Sequence, residues 1–237
     1  MAKAHLILIP GLMCDEAVWT HQARELRDIA TISIAEHDGL DSLGKMAEAI
    51  LTDAPERFAI AGHSMGGRVA FEVFRRVPER IAGMALMDTA YAPRAAGAAG
   101  EQEAANRYAL LDIAREKGTR VMAAEWVQGM VHPDRLSDQA LITAILDMFG
   151  RKTADTFAAQ IKALLERPDA TSLLPRIQCP TMVLCGRQDA WSTLAQHEQI
   201  AAAIPRSRLA VIENCGHMAP MERPEDVTAE MRKWLTS

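Results

Sequence analysis

The chain has 237 residues, 49% hydrophobic and 24% charged, with a formal net charge of −5. This is the composition of a soluble globular protein with ample chain to bury a core. The acidic balance and basic residues scattered in pairs such as Arg75-Arg76 argue against nucleic acid as a partner, and no apolar run is long enough to span a membrane. The four cysteines, Cys14, Cys179, Cys185 and Cys215, form no CxxC pair. They read as reduced, mostly buried thiols rather than a metal site or a disulfide framework. The start, "MAKAHLILIPGLMC", has too short an apolar run and the wrong residue before its cysteine for a lipoprotein signal. A cytoplasmic protein is expected.

In chain order, "HLILIPG" (5–11) is an apolar run ended by Pro-Gly, the first expected strand. "EAVWTHQARELRD" (16–28) spaces Val18, Trp19, Ala23 and Leu26 as one helix face. "ATISIAEHD" (30–38) alternates like a strand, and "SLGKMAEAILTD" (42–53) is helical with Ser42 as its cap. "RFAIAGHS" (57–64) predicts a strand and "MGGRVAFEVFRRVP" (65–78) a helix closed by Pro78. "RIAGMALMD" (80–88) is another buried strand. From about Tyr91 to about Pro168 the pattern is helical only. Alternation then resumes with strands in "CPTMVLCGRQD" (179–189) and "SRLAVIENCGH" (207–217), a helix between them, and a final helix beginning near Pro224. Strands apolar on both faces, alternating with helices, predict a parallel sheet covered on each side. The expected fold class is α/β, with about six strands. Its core spans residues 1–90 and 170–237, and residues 91–169 form a helical cap insertion.

Gly62-His63-Ser64-Met65-Gly66 fits G-x-S-x-G, with a strand before it and a helix after it. A serine in so sharp a turn has a strained backbone, and side chains two positions either way would collide with it. The hydroxyl then stands clear of the sheet, above a helix N-terminus that favours negative charge. Serine needs a base. Of seven histidines, His217 stands past the last strand and before the final helix, on the edge that parallel strands share. His63 is too close along the backbone to serve its neighbour; His5, His21, His37, His132 and His197 mostly read as solvated. Two carboxylates leave the same edge, Asp88 after the fourth strand and Asp189 after the fifth. Asp189 is favoured because Gly186 and a longer exit let its loop reach His217, while Asp88 anchors the start of the insertion. For a developing oxyanion, Met65 N–H is one donor. The loop after the first strand supplies the other, Leu12 first and Met13 second. Cys14 and Cys215 flank the site but sit on no strand-to-helix elbow, which weighs against a thiol nucleophile.

On these stretches, with "CPTMVLCGRQDAWS" and "VIENCGHMAPMERPEDVTAEMRKWL", the chain resembles the serine hydrolases of the α/β-hydrolase fold. It is similar to their small bacterial esterase, enol-lactonase and non-haem haloperoxidase branch. The resemblance implies Ser64 as nucleophile, Asp189 as acid, His217 as base and Leu12 with Met65 as oxyanion donors. Where that family usually has His-Gly, this chain has Pro10-Gly11, and it begins at the strand that normally follows an N-terminal hairpin.

The insertion is expected to roof the serine. Its apolar positions include Tyr108, Leu111, Val121, Trp126, Met130, Leu146, Met148 and Phe149, mostly ordinary packing, with Trp126 and Met130 singled out for the pocket. Trp19, Trp191 and Met218 are further expected pocket walls, and the high methionine content fits an adaptable apolar acyl site. The expected activity is hydrolysis of a small or medium carboxylic ester or lactone, with no metal or organic cofactor, by a monomer or homodimer. The same residues also allow carbon–carbon bond hydrolysis, perhydrolysis or lyase chemistry, and a hydrolase-like small-ligand receptor is the alternative of another class.

Overall fold

The computed structural model describes residues 3–237. Each apolar run that glycine, proline or a polar turn terminates becomes a strand: β1 (Ala4–Ile9), β2 (Ala30–Ile34), β3 (Phe58–His63), β4 (Ile81–Met87), β5 (Thr181–Gly186) and β6 (Ser207–Ile212). They form one parallel sheet in the order β2-β1-β3-β4-β5-β6. The six residues of β3 and of β5 are all buried, because helices cover both faces. The edge strands β2 and β6 are partly exposed along their length.

The helices are α1 (Thr20–Glu25), α2 (Leu43–Asp53), α3 (Met65–Arg76), α4 (Ala98–Lys117), α5 (Thr119–Trp126), α6 (Gln139–Gly150), α7 (Ala154–Leu165), α8 (Leu194–Ala203), α9 (Ala219–Glu222) and α10 (Pro224–Leu235). Local chemistry sets several ends. Ser42 accepts from Gly44 N–H at the start of α2, and Pro224 opens α10, where a missing N–H costs nothing. Two expected elements are shorter in the fold. The helix expected over 16–28 splits, because Asp15 accepts from Ala17 N–H and caps a 3₁₀ turn over Glu16–Trp19 before α1 begins. The strand expected over 30–38 ends at Ile34, and the chain then turns so that the His37 ring meets Pro10 O at 3.3 Å.

Strand order positions the site. From β1 the chain moves first to β2 on one side and then to β3 on the other. The loops leaving β1 and β3 therefore diverge at their carboxyl ends and open a crevice there. Between β4 and β5 the chain runs through α4 to α7 without a strand. These helices are tied back to the loops of the sheet edge. Arg151 pairs with Asp15 at 2.7 Å, Lys152 with Asp38 at 2.7 Å and Lys162 with Asp41 at 2.6 Å, and Gln160 Oε1 accepts from Met13 N–H at 2.8 Å.

On the opposite side of the molecule, Trp234 from α10 is buried against the sheet. Its indole N–H donates to Pro180 O at 3.0 Å, and a Cβ on Gly83 would come within 3.1 Å of its ring. Trp234→Ala is expected to cost about 3 kcal/mol of stability, whereas Trp234→Phe keeps most of it. Urea unfolding followed by circular dichroism measures both; equal losses would show that the hydrogen bond rather than the packed ring matters.

Candidate active site

Ser64 is the N-cap of α3 with φ 55° and ψ −117°, a conformation that a side chain strains. Three bonds hold it there. Ser64 N–H donates to Met87 O at 2.9 Å, and Ser64 O accepts from Gly67 N–H at 3.0 Å and Thr89 Oγ1 at 2.7 Å. The flanking glycines are required by contact. A Cβ on Gly62 would lie 2.2 Å from Gly66 O, and one on Gly66 would lie 2.1 Å from Ile9 O.

The loop after β6 brings His217 to this elbow. His217 Nε2 lies 2.8 Å from Ser64 Oγ and Nδ1 lies 2.8 Å from Asp189 Oδ2. Asp189 Oδ1 accepts from Trp191 N–H at 2.9 Å and Ser192 N–H at 3.0 Å. Burial pushes this carboxyl up, but the adjacent His217 ring and these donors outweigh it and hold Asp189 below the ordinary carboxylate value. Asp189 is thus the ionised acceptor for an imidazole N–H. The His217 backbone N–H donates to Met130 O at 2.7 Å.

Asp88 takes a different place. It is fully buried with φ 47°, and its Oδ1 accepts from Gly186 N–H at 2.9 Å. Burial, and then the Asp189 charge, raise it well above the ordinary value, and its bond to Gly186 braces β4 against β5. His63 is buried too, and its Nε2 donates to His217 O at 2.8 Å; burial lowers it to about 3. His37 and His197, expected at solvated positions, are both buried, because each ring accepts or donates to loop backbone: His37 to Pro10 O, His197 from Thr89 N–H. Burial pushes the Cys14 thiol up to about 12 and raises Cys215 further, so neither is a ready thiolate.

Leu12 and Met65 line the same cavity as Ser64, and neither backbone N–H has a partner among the described residues, Met65 being the first residue of α3. Met13, the second choice from sequence, has its N–H committed to Gln160.

Residues 6–231 match the Alpha/beta hydrolase family. The chain belongs to that family. It is 23% identical over 230 residues to the pimeloyl-[acyl-carrier protein] methyl ester esterase of Nitrosomonas europaea, covering 93% of this chain and 91% of that protein. Its fold superposes with a TM-score of 0.88 on a thermophilic esterase from Thermogutta terrifontis, at 29% identity over 99% of this chain and 90% of the other. It also superposes, at 0.86 and 21% identity, on the enol-lactonase from Burkholderia xenovorans LB400, covering 100% and 93%.

In this alpha/beta hydrolase a cavity of about 420 Å³ lies over Ser64 and His217. Trp126, Met130, Trp191 and Met218 line it. Trp191 packs on the His217 ring with centroids 4.9 Å apart, and Trp126 stacks on Trp191 at 5.3 Å and continues to Phe149 and Phe157. Trp19 does not line the cavity. It is fully buried below the loop, edge-on to His63 at 6.3 Å, because its helix face turns inward. Tyr108 and Val121 are exposed on the insertion.

Sequence reasoning missed Glu222. This buried carboxylate accepts from Gly216 and Met218 N–H on either side of His217, and from His132 N–H of the insertion at 2.8 Å. It stands in "MERPED", a charged run that reads as a solvated helix start.

The Asp88 assignment sets a sign. A buried acid with a raised pKa holds its proton when folded and loses it when unfolded. Its contribution is therefore complete below the ordinary carboxylate value and is lost as pH rises from there toward the folded value. Asp88→Asn keeps the acceptor for Gly186 and removes this loss. The stability of Asp88→Asn relative to wild type is expected to increase between about pH 4 and about pH 7, measured by urea unfolding at both. A difference that stays flat or decreases would mean that Asp88 is ionised in the folded protein.

Proposed function

We propose that the protein is a serine hydrolase of small or medium carboxylic esters or lactones, working through an acyl-enzyme on Ser64, with residues 91–169 as a cap over the site. The observation that carries this reading is the unbroken relay from Ser64 Oγ to His217 Nε2 and from His217 Nδ1 to Asp189, each step 2.8 Å. His217 Nε2 accepts the hydroxyl proton as Oγ adds to the ester carbonyl. Asp189 keeps the ring in the tautomer with hydrogen on Nδ1 and stabilises the imidazolium that forms. Leu12 and Met65 N–H bond the oxyanion, helped by the N-terminus of α3. Collapse of the intermediate passes the His217 proton to the leaving alkoxide. A water then adds to the acyl-enzyme with His217 as base, releasing the acid and restoring the Ser64 hydroxyl.

The esterase and lactonase names among the relatives agree with this chemistry. The aromatic column beside His217 gives one flank of the site an apolar surface and favours an apolar chain beside the carbonyl.

A fluorophosphonate is expected to label wild type at the peptide containing Ser64, and to leave Ser64→Ala unlabelled. Hydrolysis of a short aryl ester should fall to background in Ser64→Ala and by about 10³- to 10⁴-fold in kcat in Asp189→Asn. Turnover retained in Ser64→Ala would remove the serine from the mechanism. One stoichiometric acylation without turnover would turn the reading toward a ligand receptor.

A further inference from the structure

The cavity is not uniformly apolar. Away from His217 its lining turns to Arg68, Arg107, Arg167, Glu103 and Asn106. Glu103 is saturated by two of the arginines. Arg167 grips it with both Nη atoms at 2.7 and 2.8 Å, and Arg107 donates from Nε and Nη2 at 3.1 and 3.0 Å. Arg68 has no carboxylate partner among the described residues; its one bond runs from Nη1 to Ala92 O at 2.9 Å. Asn106 Oδ1 already accepts from Gln102, so the Asn106 amide N–H groups are left to donate. Three guanidiniums therefore face one carboxylate, an excess of two positive charges inside a cavity of a chain whose net charge is −5.

Cations collected in a concave, partly buried wall repel one another unless an anion joins them. Burial, and then the charge of Arg167, lower Arg68 to about 9, still protonated at neutral pH. Glu103 relieves Arg107 and Arg167 and fixes their forks in place, but it leaves Arg68 facing the cavity. Arg68 also stands in a fixed relation to the chemistry. It is four residues beyond Ser64 on α3, one helical turn or about 6 Å along the axis. Leu110, Phe157 and Leu164 line the same cavity and suit a short methylene chain.

From this arrangement we infer that the wall formed by Arg68, Arg107 and Arg167 binds an anionic group carried by the substrate, so that the preferred esters are half esters of dicarboxylic acids or their lactone equivalents. The inference rests on the hydrolase reading above and narrows it to a substrate class. A guanidinium pairs a carboxylate or a phosphate with the same fork, so an acid-bearing or a phosphate-bearing ester would use the same wall.

The test compares kcat/KM for methyl half esters of dicarboxylic acids from succinate to suberate with that for neutral methyl esters of matched length. A third set carries a phosphate monoester in place of the free acid. Wild type is expected to prefer the anionic member at one or two lengths. Arg68→Gln should lower the anionic-to-neutral ratio roughly ten- to hundredfold, mainly through KM, and Arg68→Lys should restore part of it. Free dicarboxylates should inhibit neutral-ester hydrolysis by wild type competitively at constant ionic strength, a reading that needs no variant. A phosphate preference that Arg68→Gln abolishes sustains the site and assigns its anion to phosphate. Neutral-ester turnover that depends on Ser64, with no preference for either anion or with a preference that Arg68→Gln leaves intact, overturns the anion site and leaves the hydrolase standing. Absence of any Ser64-dependent turnover overturns the hydrolase reading instead. In that event calorimetric titration of wild type and Arg68→Gln with glutarate decides the anion site alone: binding lost in the variant supports it, and no binding to wild type refutes it.

Discussion

The fold depends at one point on a contact with no spare volume. The first turn of α3 is pressed so closely against the ends of β1 and β3 that no side chain fits at Gly62 or Gly66. That contact forces Ser64 to φ 55°, and the strain is held by bonds from β4 and from the loop that follows it. Several properties come from this one constraint. The serine side chain is lifted off the sheet, the Met65 N–H is left without an acceptor, and the loop after β1 is drawn to within reach of the same point. A looser elbow would change all three at once.

The other two loops arrive by different means. The one bearing His217 is fixed through its backbone, by Glu222, by Met130 O and by the His63 ring. Glu222 and Met130 both join that loop to the insertion, so the imidazole is positioned jointly by the sheet and by the helices above it. Two buried carboxyl groups then lie near one another with shifts of opposite direction. The His217 ring and two N–H donors hold Asp189 below the ordinary value, whereas burial and the repulsion of Asp189 hold Asp88 well above it. Environment alone drives the two apart: one carboxyl is favoured as the charged partner of an imidazole, the other as an acid that keeps its proton.

Most of the architecture is legible in the sequence because its signals are local. Apolar runs closed by Pro10-Gly11, Gly62 and Gly186, helical spacing over residues 65–76, and a long stretch without strand pattern suffice for six parallel strands and a helical insertion. The elbow is legible because its glycines are sterically obligatory. What sequence leaves hidden is decided by contacts between distant segments. The indole of Trp19 follows the loop after β1 in sequence yet turns into the core against His63. Glu222 looks like a surface charge until its partners at positions 132, 216 and 218 surround it. Arg68 looks like one more basic residue on an amphipathic helix, and only the placement of Arg107 and Arg167 beside it makes it part of a cationic wall. Of the apolar positions on the insertion, Trp126, singled out for the pocket, stacks on Trp191 over the cavity, whereas Tyr108 is exposed.

The three ion pairs between the helical insertion and the sheet-edge loops share a polarity. Asp15, Asp38 and Asp41 lie on the loop side, and Arg151, Lys152 and Lys162 on the helical side. The seam therefore behaves as a charged hinge plate, attractive at every point along it and repulsive in any reversed alignment. All three pairs have at least one solvent-exposed partner, within reach of mobile counterions. Ionic strength thus acts on how firmly helices α4 to α7 are held to the sheet-edge loops, and far less on the buried apolar contacts of the sheet itself.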